Sequence, residues 1–344
     1  MIKKKYIIPI FIPHIGCPVD CIFCNQKKIA REKAPTEEEI RQDIRRYLSY
    51  FPNNYADEIA FYGGSFTGIP KEQRKRYLEI ANEFIEEGHI GSIRCSTRPD
   101  YIREDVLDDV LKYPLKTIEL GVQSTNNEVL KKNHRGHTVE AVENAVSLLQ
   151  KSKIKLGLQM MTGLYGAKPG DDIQTAKDFI RWKADFVRIY PTVIIKDTLL
   201  EKYYEKGKYN PRSLEDSINI DGDIYRLFYA HDIPMIRIGL QSSEDIQPSL
   251  VGGPYHPSYR QLVESKIIDD FFGPKIKEMP KGKLEITAPR VFFDGLIGFK
   301  GENKKKWKRA FPKKQLSFRQ GEHFAIETEN SRYQFSTKEV MACD

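Results

Sequence analysis

The sequence predicts an α/β protein: a parallel sheet flanked by helices, followed by a smaller basic α+β unit. Three observations carry this. β-rich runs alternate with helical stretches as far as about residue 190. Glycines and polar residues gather just after the strands. The composition turns basic near residue 275.

Lys5–Ile12 reads as a strand and leads into a cysteine-rich loop. Thr36–Tyr50 reads as a helix, with Thr36 as N-cap and Glu39 at the capping-box position. Strand and helix then alternate: Glu58–Tyr62 and Lys71–Glu87, Ser92–Thr97 and Arg103–Lys112, Thr117–Val122 and Thr138–Lys151, Lys155–Met161 and Asp171–Trp182, then strand Phe186–Tyr190. These six β-α units fit a curved partial barrel as well as an open doubly wound sheet. Beyond Pro191 come helices over 197–206 and 213–231 and a strand over Met235–Leu240. Strands over Lys283–Thr287 and Phe324–Phe335 belong to the second unit, and Gly273-Pro274 marks the boundary between domains 1–273 and 274–344.

Of the 344 residues, 40% are hydrophobic and 30% charged, which excludes a disordered, collagenous or purely coiled-coil chain. The longest apolar run, Tyr6 to His14, is broken by Pro9 and Pro13 and falls far short of the ~20 residues of a membrane span. Met1–Lys5, this run and Gly16-Cys17 faintly resemble a lipoprotein signal. The two prolines and His14 favour a buried first strand instead, and hence a cytoplasmic protein. Net charge is +7, and residues 275–344 hold 16 Lys/Arg against 9 Asp/Glu, so they carry the whole excess. That concentration points to a polyanionic partner.

Five cysteines in a chain of this length are no disulfide framework. Cys17, Cys21 and Cys24 fall within eight residues; Cys95 reads as a core residue and Cys343 as a free terminal thiol. Three thiolates on one loop suit a [4Fe–4S] cluster, which normally takes four, and leave one iron open to a chelating substrate. The rival is a closed Cys₃His zinc site with His14, which the triplet favours less than the cluster.

The CxxxCxxC spacing, with Phe23 directly before the last cysteine, resembles the radical S-adenosylmethionine (SAM) superfamily. The resemblance narrows with Ile12-Pro13-His14, Phe61-Tyr62-Gly63-Gly64-Ser65-Phe66-Thr67, Ser96-Thr97-Arg98-Pro99-Asp100, Arg135-Gly136-His137-Thr138, Met161-Thr162-Gly163-Leu164, Arg188-Ile189-Tyr190-Pro191-Thr192 and Gly253-Pro254-Tyr255-His256-Pro257. Together, over residues 5–310, they are similar to the Elongator catalytic-subunit group, whose members modify the wobble uridine of tRNA with acetyl-CoA as carbon source. The resemblance implies a partial (β/α)₆ TIM-type barrel. It implies Cys17, Cys21 and Cys24 on the cluster, with Gly63, Gly64, Ser65, Thr97, Gln123, Ser124 and Arg135 around SAM and Phe23 near its adenine. It also implies a deoxyadenosyl radical that abstracts hydrogen, an electron donor such as flavodoxin or ferredoxin, and RNA, above all tRNA, as substrate. Arg135 suits a carboxylate fork. His134 and His137 read as structural.

There are two departures. The Elongator enzyme spaces its cysteines more widely. It also carries an acetyltransferase-like domain for which residues 275–344 are too short, so acetyl-CoA chemistry does not carry over. In that segment Gly298-Phe299-Lys300-Gly301 has the spacing of a KH-type loop. Lys304, Lys305, Lys306, Trp307, Lys308 and Arg309 after it read as a phosphate-binding, base-stacking surface, with a core role for Trp307 as the alternative. Two other functions fit the same sequence: a radical SAM enzyme acting on a small molecule, and a zinc-stabilised RNA-binding module without catalysis.

Overall fold

The computed structural model describes residues 5–12, 17, 20–25, 34–240 and 247–342. Strands β1 (Ile7–Ile12), β2 (Glu58–Gly63), β3 (Ile93–Thr97), β4 (Leu115–Gln123), β5 (Lys155–Thr162) and β6 (Phe186–Pro191) lie side by side in chain order, all parallel. The ribbon strand β7 (Ile194–Ile195) follows, and β8 (Met235–Ile238) adds a seventh strand beside β6. The predicted partial barrel thus gains one more strand than its six units, because the chain after β6 returns through two helices to the open edge.

The crossovers are α1 (Glu37–Ser49), α2 (Lys71–Glu86), α3 (Glu104–Val110), α4 (Asn127–Lys132), α5 (Val139–Lys151), α6 (Pro169–Arg181), α7 (Leu199–Glu205) and α8 (Leu214–Ala230). Thr36 and Glu39 close the expected capping box on α1. Thr138 and Ser213 cap α5 and α8 with their hydroxyls. The helices cover one face of the sheet with Ile, Leu, Val and Phe side chains.

The concave face is different: it is charged. Glu58, Arg94, Glu119 and Arg188 rise from four different strands into one ion-paired column. Arg94 bonds Glu58 at 2.5 Å and Glu119 at 2.8 Å, and Glu119 pairs with Arg188 at 2.5 Å. Thr117 also donates to Glu58, at 3.2 Å. Phe186 fills the space that the missing side chain of Gly157 leaves: a Cβ there would lie 2.3 Å from its ring. Arg94 stacks on the same ring at 5.1 Å.

Strand β9 (Leu250–Gly252) pairs with β7. Helix α9 (Tyr259–Glu278) then runs without a break through Gly273 and Pro274. The expected boundary therefore falls inside a helix. The reason is packing: Val263, Ile267, Ile268, Phe272 and Ile276 are buried along its length, within one continuous core. Beyond it lie β10 (Gly282–Pro289), α10 (Phe293–Ile297), α11 (Glu302–Ala310), β11 (Lys314–Gly321), β12 (Phe324–Glu327), β13 (Arg332–Phe335) and α12 (Thr337–Ala342). The sheet order is β11-β10-β12-β13, with β10 and β11 parallel. The single strand expected over Phe324–Phe335 is a hairpin. Thr328 turns the chain by accepting the amides of Asn330 and Ser331 on its hydroxyl.

Under the C-terminal end of β5, α8 and α9 bury Asp221. The Tyr259 hydroxyl donates to it at 2.8 Å, and burial pushes its carboxyl up to about 7. Asp172, paired with Arg212 at 2.5 Å, is likewise pushed up by burial, to about 6. No helix among the described residues is long and apolar enough to cross a membrane.

Two outcomes follow. Arg94→Met leaves Glu58 and Glu119 buried without their shared cation and should destabilise the fold by about 3–5 kcal/mol in urea unfolding at neutral pH; a loss below about 1 kcal/mol would show the column to be energetically idle. Folded Asp221 holds a proton that the unfolded chain releases near pH 3.9. Its stabilising share is thus complete below that pH and is lost as pH rises through about 7. Stability of the wild type relative to Asp221→Asn should therefore decline between pH 4 and 7, by about 4 kcal/mol at most; a pH-independent difference would contradict the buried proton.

Candidate cofactor site

The C-terminal ends of β1 to β5 converge on one side of the sheet, where parallel α/β folds place their sites. The loop after β1 carries Cys17, Cys21 and Cys24. Its course is set by an apolar anchor: Ile22 is buried with Ile194, Leu200 and Tyr209, and Phe23 packs on that cluster. Backbone bonds tie it down on two sides, Ile22 N–H to Asn133 O at 3.3 Å and Leu200 N–H to Ile22 O at 2.8 Å. Asn25 adds a bond from its Nδ2 to Lys196 O at 2.7 Å. Cys21 is buried, whereas Cys17 and Cys24 are half-buried.

Two arginines stand over these thiols. Arg135, just past α4, donates from Nη1 to Cys21 Sγ at 3.2 Å and from Nη2 to Gly121 O at 2.6 Å. Its Nε is buried without a partner. Arg98, after β3, forks onto Asp100 at 3.0 Å and donates to Arg135 O at 2.5 Å, so one arginine fixes the other. Its Nη1 is also buried without a partner. Burial pushes the Cys17 thiol up to about 11, against the pull of Arg98 and Arg135. Ligation requires the thiolate, so metal binding there would expel a proton. His137 is pushed down to about 3 by burial and by the same two arginines, and its Nε2 donates to Val122 O. A neutral, bonded His137 fits the structural role expected of it.

At the end of β2, Gly63 has φ +109°, and a Cβ on it would lie 2.3 Å from Ile12 O. Only glycine fits, and the exposed backbone of this turn faces outward. Behind it the Ser65 and Thr97 hydroxyls bond at 2.7 Å, Thr67 joins Thr97 at 2.5 Å, and Arg98 N–H donates to Ser65 at 3.2 Å. Ser65 and Thr97 thus knot the loops after β2 and β3 together. Gln123 sits at a register shift in β4 with φ +73°, which re-aims its side chain; Gln159 donates to it at 3.4 Å. Ser124 accepts the Asn126 amide at 3.2 Å at the start of α4.

Below this rim the charged column ends in aromatic hydroxyls. Tyr62 donates to Glu119 at 3.1 Å, accepts from Arg188 at 3.0 Å, and is pushed up to about 12, first by burial and then by Glu119. Arg188 also donates to the Tyr190 hydroxyl at 3.3 Å. Reading the sequence placed Arg98 among the polar strand ends and Tyr62, Thr67 and Arg188 within motifs but gave none of them a role, and it missed Glu119. The available signal was a charge inside an apolar strand, as in Ile118-Glu119-Leu120 and Val187-Arg188-Ile189.

The residues present fit an iron–sulfur group: soft thiolate donors, an arginine on one of them, unpaired buried N–H groups beside them and a glycine turn open to close approach. Among the described residues no group of three or more His, Cys, Asp or Glu side chains is placed around a single-ion position, and Cys17, Cys21 and Cys24 make no such group. His14, the fourth ligand of the Cys₃His zinc arrangement, and Cys343 lie outside the described residues. Cys95 is fully buried in the core, as expected.

The basic segment stands apart. Lys304, Lys305, Lys306, Lys308 and Arg309 are exposed on α11. Trp307 is not a stacking surface: it is 1% exposed, lies 6.0 Å from Phe318 ring to ring, and donates to Asp269 at 2.7 Å. Four residues after buried Asn303, it falls on the helix face that packs against α9.

Residues 11–180 match the radical SAM superfamily and residues 184–269 the radical SAM C-terminal domain. An uncharacterised protein of Methanocaldococcus jannaschii is 30% identical over 272 residues, covering 74% of this chain and 81% of the relative. The tRNA uridine(34) acetyltransferase of the same organism is 37% identical over 47% of this chain and 34% of its own. Human Elongator complex protein 3 is 27% identical over 62% of this chain and 42% of its own, so this chain spans less than half the length of the last two. The solved structure of Methanocaldococcus infernus Elp3 with an N-terminal deletion shares the fold, with a TM-score of 0.60 at 24% identity over 78% of this chain and 63% of that one. By these matches the chain belongs to the radical SAM superfamily, whose enzymes bind a [4Fe–4S] cluster and S-adenosylmethionine.

Proposed function

We propose that the chain is a radical SAM transferase that modifies RNA, with tRNA as the substrate, and that Cys17, Cys21 and Cys24 bind its cluster. The observation that carries the reading is the Arg135 guanidinium, held against Cys21 Sγ at the mouth of five converging strands. A positive group on a ligating sulfur favours the thiolate and orients the loop. Held by Cys17, Cys21 and Cys24, a reduced cluster would supply the single electron for reductive cleavage of SAM and so for hydrogen abstraction from the substrate.

The protein's part is positioning. The Gly63-Gly64 backbone admits the SAM amino group, and the Ser65–Thr97 knot holds that turn in place. Arg135 Nε, which has no partner, and the second N–H of each Nη are the donors left for the SAM carboxylate. Gln123 and Ser124, at the end of β4, meet the ribose, and Phe23 borders the adenine. Tyr62, Glu119 and Arg188 form the polar floor beneath. An electron donor such as flavodoxin or ferredoxin would complete the cycle. The RNA substrate is supported by the relatives named for tRNA and Elongator, and by the excess positive charge of residues 275–344.

After anaerobic reconstitution with iron, sulfide, dithionite and SAM, the wild type should form 5′-deoxyadenosine, and total RNA should yield a new nucleoside by mass spectrometry. Alanine at Cys17, Cys21 or Cys24 should abolish both iron retention and SAM cleavage; full cleavage by any of the three variants would refute the ligand assignment. Arg135→Gln should retain iron but lose about 10–100-fold in SAM cleavage. If only stability and not the rate changes, Arg135 is merely structural.

A further inference from the structure

The surface formed by the 298–301 loop and α11 belongs to no part of the cofactor site. Gly298, Lys300 and Gly301 all have positive φ, at +80°, +51° and +79°. The loop is fixed from beneath: buried Asn303 donates to Ser265 O at 2.9 Å and Gly295 O at 3.2 Å. A Cβ on Gly298 would lie 2.7 Å from the Asn303 amide nitrogen. A Cβ on Gly301 would meet only the end of Lys305, at 3.9 Å, so the outer side of the loop is open to a ligand.

Asn303 and Trp307 turn one face of α11 inward, which sends the lysines outward. Lys304 and Lys308 form one i,i+4 row and Lys305 and Arg309 another. Like charges at that spacing cost helix stability. Lys306 is neutralised by Asp269 at 2.5 Å and Lys305 is partly offset by Glu302 at 3.8 Å. Lys300, Lys304 and Lys308 are exposed and have no carboxylate within ion-pair distance among the described residues. The row continues into a depression lined by Lys283, Lys308, Gln315 and Ser317. Lys304 and Lys308 stand about 6 Å apart along the axis, a spacing suited to successive phosphates of an extended strand. Glu302 at the head of α11 keeps phosphate off the helix terminus itself, so contacts fall on the loop backbone and the lysine row.

The surface is also wired to the cofactor side. His256 meets the Phe299 ring edge-on at 4.6 Å and 87°. His256 follows β9, which pairs with β7. The residues after β7 accept Asn25 at Lys196 O and donate to Ile22 O in the cysteine loop.

We propose that Gly298–Gly301 and the Lys300–Lys304–Lys308 row form a clamp for the phosphate backbone of single-stranded RNA. The clamp rests on the RNA-modifying reading and names where that substrate is held; its base contacts do not come from Trp307. The test uses the full chain and a short fluorescent single-stranded oligoribonucleotide, with the corresponding duplex as a second probe, titrated over a range of salt. Lys304→Glu/Lys308→Glu should weaken single-strand binding at least tenfold and flatten the log K against log salt slope by about 1.4, two contacts at about 0.7 each. The milder Lys300→Gln/Lys304→Gln should weaken it in the same direction, with an unchanged melting temperature. Lys151→Glu/Lys177→Glu, the same charge change on α5 and α6, should leave binding intact. Undiminished binding by the α11 variants, a preference for the duplex, or no wild-type binding at low salt would each overturn the clamp. Dithionite-dependent SAM cleavage without RNA, measured in parallel, separates the two readings. Cleavage without strand binding sinks the clamp alone. Strand binding on the lysine row without cleavage sinks the enzyme and leaves the clamp.

Discussion

Everything on the concave face depends on the alternation Glu58, Arg94, Glu119, Arg188. Three buried charges and the half-buried Arg188 are tolerable because each finds opposite charge at 2.5–2.8 Å, and Lys5 adds a second cation on Glu58 at 3.2 Å. The column spans β2, β3, β4 and β6, so it also locks the strands' relative heights. A one-residue slip would turn one of these charges into the apolar layer beneath the helices. Its upper end is where the Tyr62 and Tyr190 hydroxyls meet Arg188, and the polar floor of the candidate site is simply the column's last rung.

On that floor the loops are tied to one another rather than to the sheet alone. Arg98 holds Arg135, Arg135 holds Cys21, and Ser65 and Thr97 join the second and third loops. Two of the buried side-chain groups left without a partner, Arg98 Nη1 and Arg135 Nε, belong to the arginines beside the thiols, while others, such as Asp221 Oδ1, lie elsewhere in the fold. A buried unpaired N–H costs stability, and its position next to the cysteines is what a site built for an anionic or electron-rich ligand requires.

Helix α9 makes the basic C-terminal unit part of the same body. Phe272 lies midway along it and touches Trp307, Phe324 and Phe335. Toward its start, Tyr259 bonds Asp221 under β5. With Trp307 spent on this packing, the exposed surface of α11 is left almost purely cationic.

Much of this was legible without coordinates. The strand–helix alternation, the Thr36–Glu39 capping box, the cysteine triplet and the polar strand ends all follow from local chemistry: side-chain periodicity, hydrogen-bonding reach and backbone freedom at glycine. Four features were decided only by tertiary contact. Glu119 and Arg188 read as ordinary strand residues until the sheet curved them toward each other. Gly273-Pro274 looked like a break, yet the core on both sides keeps α9 whole. Trp307 sat in a basic run, but its position four residues after Asn303 faces it inward against Phe318. The Arg135–Cys21 contact spans 114 residues, and no local rule states which loops will meet once parallel strands are laid side by side.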